Sequence, residues 1–69
     1  MKISARNILK GKVVEIIKGA TTSHVRIDIG GGAIVTASIT NEAVADLQLE
    51  KGKQAYAVIK ASDVVVGID

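Results

Sequence analysis

Hydrophobic and polar positions alternate along much of this chain with a period of two, so the pattern predicts strands rather than long helices. The cleanest stretch is residues 23–29, where Val25, Ile27 and Ile29 fall on one face and His24, Arg26 and Asp28 on the other. Alternation of this kind marks a strand with one buried and one wet face. Residues 33–39 repeat it, with Ala33, Val35, Ala37 and Ile39 opposite Ile34, Thr36 and Ser38. Between the two runs stands Gly30-Gly31-Gly32, read as a hairpin loop because glycine accepts positive φ without a Cβ clash. No helical pattern follows the triplet, which argues against a phosphate cradle there.

Upstream, the apolar residues of 8–17 come in doublets: Ile8-Leu9, Val13-Val14 and Ile16-Ile17. Neither period fits them. Their β-branched enrichment and the interior Gly11 predict one long first strand with a bend or bulge. Lys18 to Thr22 reads as a turn. Downstream, Thr40 or Asn41 is placed to cap a short helix over 42–47, with Glu42 suited to the positive end of its dipole. Val44 and Leu47 share a face of that helix and are expected to plug one end of the fold. After a polar turn at 49–53, residues 54–60 predict a fourth strand and 64–68 a fifth, joined by Ala61-Ser62-Asp63. Three strands, a helix and two strands is the order of an all-β, five-stranded OB-fold Greek-key barrel with its helix between strands 3 and 4. Element count alone leaves an SH3-like barrel open.

Composition sharpens this picture. Sixty-nine residues form one small domain with little surface to bury, yet 48% of them are hydrophobic. No Cys is present and only one His, which excludes disulfides and Cys-based zinc sites and leaves few protein ligands for any metal. Association with further copies is the remaining support, so an obligate oligomer is expected. The net charge of +2 is a modest lean toward anionic partners. Nucleic acid is disfavoured, because without Phe or Trp and with only Tyr56 the chain cannot build a base-stacking platform. The first residues lack the apolar run of a signal peptide and no segment reaches membrane-spanning length, so cytoplasmic localisation is the expectation.

Two clusters hold the candidate chemistry. Ser4-Ala5-Arg6-Asn7 gathers a hydroxyl, a guanidinium, an amide and main-chain N–H groups, and Lys60-Ala61-Ser62 repeats the theme near the other end. Such donors suit a tetrahedral dianion if the two clusters meet. Taken alone, each is also what an ordinary polar strand end looks like. Ser4-Ala5-Arg6-Asn7, then Leu9-Lys10-Gly11-Lys12-Val13-Val14, Ser38-Ile39-Thr40 and Val58-Ile59-Lys60-Ala61-Ser62-Asp63-Val64 together resemble the molbindins, the small molybdate-binding proteins of the Mop domain family. The likeness runs through nearly the whole chain, as a single Mop (OB-fold) domain over 1–69.

This resemblance implies storage of molybdate, with tungstate as a related cargo, in the cytoplasm, without catalysis and without a cofactor. It assigns oxyanion contacts to Ser4, Ala5, Arg6, Thr40, Lys60, Ala61 and Ser62, with Asn7 in support and no metal held directly by protein ligands. It also implies a homohexamer, a trimer of dimers, with Arg6 and Lys60 of different chains meeting in pockets between subunits and a further class of sites near the three-fold axis. Lys18, Gly19, Ala20, Thr21 and Thr22 are the candidates for that second class, and a solvated turn is the competing reading. No DNA-binding segment is expected beside the barrel, unlike the regulators in which this domain is an appendage. A nucleic-acid-binding OB module and a purely structural assembly domain are the alternatives. Catalysis is least supported, because the lone His has no nucleophile to pair with and no carboxylate dyad stands out. His24 reads as a surface or interface histidine, Asp63 as a turn residue and Tyr56 as a packing residue.

Overall fold

In the computed structural model, which describes all of residues 1–69, a curled four-stranded antiparallel sheet carries one short helix. The elements are β1 (Asn7–Lys18), β2 (Thr22–Gly30), β3 (Ala33–Thr40), α1 (Asn41–Asp46) and β4 (Gln54–Ile59), followed by a 3₁₀ turn at Ala61–Asp63. Their order across the sheet is β3-β2-β1-β4. β1 is the spine: its first half pairs with β4, from Asn7 opposite Ile59 to Lys12 opposite Gln54, and its second half pairs with β2 as far as Lys18 opposite Ser23.

The doublets of β1 have a structural cause. A register shift between Val13 and Glu15 inserts Val14 as an extra residue, so the apolar face is renewed one position late and the strand bends as it passes from one partner to the other. Gly11 serves a different purpose: a Cβ there would collide with the main-chain carbonyl oxygen of Asp28 and lie 2.8 Å from Cγ2 of Ile27. β1 can approach β2 closely only with a glycine at that point.

Val13, Val25, Ile27 and Ala57 form the core, with Leu9, Ile16, Ile29, Val35, Ile39 and Val44 packed against it. Val44 thus takes the inward position expected of it. Leu47 does not plug the end; it is 60% exposed at the rim of the groove described below. Thr40 is the N-cap of α1, its Oγ1 accepting from the Ala43 N–H at 3.0 Å. The C-terminal end of the helix is held by Lys53, whose Nζ donates to the carbonyls of Leu47 and Gln48 at 3.0 Å each. A cation on the last carbonyls complements the negative end of the helix. Tyr56 faces outward and is 46% exposed, not packed as its type suggested.

The five-stranded barrel is corrected in one respect. Residues 64–68 form no strand: Val65, Val66 and Ile68 are 91%, 87% and 96% exposed. The 3₁₀ turn begins and ends on extended residues, Lys60 at ψ 135 and Val64 at ψ 125, and so leads the chain onward instead of folding it back onto β4. The consequence is an open barrel. A groove of about 700 Å³ runs between the unpaired edges of β3 and β4, lined by Val35, Ala37 and Ile39 on one side and Ala55, Ala57 and Ile59 on the other.

Candidate functional site

Antiparallel pairing of β1 with β4 brings the two donor clusters of one chain to the same end of the sheet. Asn7 lies opposite Ile59 and its Nδ2 donates to the Ile59 carbonyl at 3.1 Å, so Arg6 and Lys60 of one chain both adjoin the last paired residues at this end of the sheet, whereas the resemblance draws the two from different chains. Both cationic residues are exposed, and neither forms an ion pair; the chain's one salt bridge joins Arg26 to Glu15 at 3.2 Å. The 3₁₀ turn adds main-chain donors. Its carbonyls are used internally, Lys60 O by the Asp63 N–H at 2.9 Å and Ala61 O by the Val64 N–H at 3.3 Å, while the N–H groups of Ala61 and Ser62 find no acceptor in the chain. The Ala5 N–H is equally unpaired. Ser4 and Ser62 keep their hydroxyls free of protein partners and exposed. The arrangement is a donor surface built on two strand ends, suited to an oxyanion and ill suited to a cation. No group of three or more His, Cys, Asp or Glu stands together elsewhere in the fold.

Thr40 is not part of this cluster within one chain. It pairs with Thr22 at the start of β2, at the opposite end of the 12-residue β1, whose residues each rise about 3.3 Å. There it borders the turn at 18–22. That turn is drawn against the start of α1 by Asn41, which receives the Ser23 hydroxyl on Oδ1 at 2.5 Å and donates from Nδ2 to the Gly19 carbonyl at 3.0 Å and the Ala20 carbonyl at 3.4 Å. Ser23 is the only buried polar residue, 2% exposed, and its bond to Asn41 satisfies it. Neither residue stands out in the sequence as part of a site. Asn41 reads only as a candidate helix cap and Ser23 as the first residue of a strand, because the alternating pattern conceals a polar residue on the inner face.

His24 lies on the outer face, across from Ile17 and Ser38, and is exposed without a hydrogen-bond partner among the side-chain bonds of the fold. No helix is long and apolar enough to cross a membrane.

Known proteins give this geometry a context. A family profile for the TOBE domain matches residues 3–66. A probable molybdenum-pterin-binding protein of Haemophilus influenzae is 55% identical over 69 residues, covering 100% of both chains. A molybdate-binding protein from Sporomusa ovata superposes with a TM-score of 0.91 at 40% identity, covering 99% of this chain and 100% of that one. The cytoplasmic molybdate-binding protein ModG, solved with molybdate bound, superposes with a TM-score of 0.95 at 46% identity, covering 100% of this chain and 49% of that one. With a profile match over nearly its whole length and full-length relatives of the same size, the chain belongs to the TOBE domain family, among the small molbindins.

Proposed function

We propose that this protein binds molybdate, and tungstate as an anion of the same shape and charge, in pockets between the subunits of a cytoplasmic homohexamer, storing the ion without transforming it. The observation that carries the reading is the pairing of Asn7 with Ile59, which gathers Arg6, Lys60 and the unpaired N–H groups of Ala5, Ala61 and Ser62 at one end of the sheet. A doubly charged oxyanion loses its water shell on binding and needs donors on several sides in return. Arg6 supplies a planar pair of donors, Lys60 a point charge, and Ser4 and Ser62 hydroxyls, with Asn7 bracing the strand ends. Names and bound ligand among the relatives point the same way.

Three features favour pockets completed by another copy. The donor surface is exposed, so a partner is needed to exclude water from it. Thr40 lies at the far end of β1 from Arg6, so it reaches an anion held by Arg6 from a neighbouring chain. Finally, the apolar residues 64–68 project into solvent while an apolar groove stands open between β3 and β4. Both edges of that groove have unpaired backbone groups, and an apolar tail from a second copy suits its lining in character.

Equilibrium dialysis against molybdate, tungstate, sulfate and phosphate tests the reading, with Arg6→Ala and Lys60→Ala beside the unsubstituted protein. Each substitution is expected to weaken molybdate binding about 10- to 100-fold while the circular dichroism spectrum of the sheet is unchanged. Sulfate should bind more weakly, since a smaller ion leaves donors unpaired. Equal retention of molybdate by all three proteins would overturn the assignment, and unaltered assembly with no anion bound would leave a purely structural domain.

A further inference from the structure

The alternation of exposure along β1 and β4 continues past the last residues that pair. Ala5, Asn7 and Leu9 are sheltered while Arg6, Ile8 and Lys10 are exposed, and Ala55, Ala57 and Ile59 are sheltered while Tyr56, Val58 and Lys60 are exposed. Lys60 keeps an extended backbone, with ψ 135. Both cations of the donor surface therefore fall on the outer face of the sheet. On that face the residue two positions inward from each is apolar: Ile8 from Arg6, and Val58 from Lys60. Two residues along a strand span about 6.6 Å, so each cation stands next to an apolar side chain of its own strand.

Ile8 and Val58 are also cross-strand partners, and they are 41% and 39% exposed. Their pairing is unusual for this face. From Lys10 with Tyr56 to His24 with Ile17 and Ser38, every outward pair includes a polar or charged member. The wholly apolar pair is the one that adjoins the donors. Both side chains are β-branched and stiff at χ1, so they present a fixed surface.

What such a surface does to an anion depends on the anion's size. The cost of taking an ion out of water rises as its radius falls, so of two dianions the smaller gives up its water less readily. An apolar wall returns no hydrogen bond for the water it displaces. Guanidinium, ammonium and main-chain N–H groups attract any tetrahedral dianion, whereas the wall penalises the smaller one more.

We propose that Ile8 and Val58 are specificity-determining residues of the oxyanion site, an apolar wall next to Arg6 and Lys60 that favours molybdate over the smaller, more tightly hydrated sulfate. This rests on the oxyanion-binding reading above and deepens it: the cations and N–H groups set how tightly a dianion is held, and the apolar pair sets which dianion. Because each cation carries its apolar neighbour on its own strand, the arrangement is the same whether the cations of one pocket belong to one chain or to two.

Val58→Thr is the discriminating variant, since it nearly keeps the shape of the side chain and adds a hydroxyl to the wall; Ile8→Thr does the same from β1. Equilibrium dialysis of the assembled protein against molybdate and against sulfate gives the ratio of the two Kd values, and sedimentation reports the assembly. Each variant is expected to lower the preference for molybdate at least about three-fold, chiefly by tightening sulfate, with sedimentation unchanged. Val58→Ile keeps the wall apolar and should hold the ratio within about two-fold. Ile34→Thr is the control, because Ile34 is also 39% exposed on the outer face but lies across the sheet on β3, and its ratio should not move. An unmoved ratio in both Thr variants at positions 8 and 58 overturns the proposal and leaves selectivity to the fit of the donors alone. Loss of assembly with both anions weakened in proportion also overturns it, making the pair a subunit contact, as does an equal change in Ile34→Thr. If the unsubstituted protein holds molybdate and sulfate equally, the proposal falls and the oxyanion-binding reading stands; if it holds neither, both fall.

Discussion

The two ends of β1 present the same chemistry in different states of completion. At its start, Arg6 and Lys60 adjoin the last β1–β4 pair with exposed donors and a bracing side-chain bond from Asn7 to Ile59. At its finish, the turn at 18–22 is tied down by Asn41, which is itself fixed by a buried serine. One end is a half-site that a neighbour has to finish, and the other is a loop whose own chain has already turned its carbonyls away. The difference teaches that a donor surface can be prepared by supplying cations or by disposing of acceptors. The first route depends on assembly, the second on local hydrogen bonding.

Removing residues 64–69 should separate the two most sharply. The truncated protein is expected to run as a monomer by analytical ultracentrifugation and to lose binding at the Arg6 and Lys60 end, while the turn keeps the hydrogen bonds of Asn41. Unchanged sedimentation would show that the exposed tail does not hold the copies together. A smaller effect is expected of Ser23→Ala, which leaves Oδ1 of Asn41 without its donor; a loss of about 1 kcal/mol in chemical denaturation is the scale for one such bond. Thr40→Val removes the N-cap of α1 at a similar cost of about 1 kcal/mol, and Thr40→Ser should restore it. Smallest is Arg26→Ala, which breaks an exposed ion pair in the middle of the sheet and should shift stability by less than about 0.5 kcal/mol. Should that variant disturb anion binding, the charges of the outer face would have to be added to the site.

Much of the architecture was legible in the residues because it depends on neighbours in sequence. The alternation of 23–29 and 33–39 predicts a hairpin, and β2 and β3 form one. The three glycines predict positive φ, and Gly30, Gly31 and Gly32 have φ of 94, 63 and 81. Thr40 or Asn41 is the expected cap, and Thr40 serves as one. Side-chain period, turn chemistry and capping are local properties, decided within a few residues.

The sequence by itself thus determined the first four strands, the helix, the hairpin and the two donor-rich clusters, but not the fate of 64–68. The tertiary structure decided which of these adjoin. Only the register of β1 against β4 brings Arg6 and Lys60 to the same end of the sheet, and only the return of β3 past β2 sends Thr40 to the other end and brings Asn41 over the turn. The apolar run at 64–68 announces burial without saying against what, because hydrophobicity has no direction. Hydrogen-bond partners far apart in the chain are selected by the path of the backbone, and no pattern of nearby residues encodes that path alone.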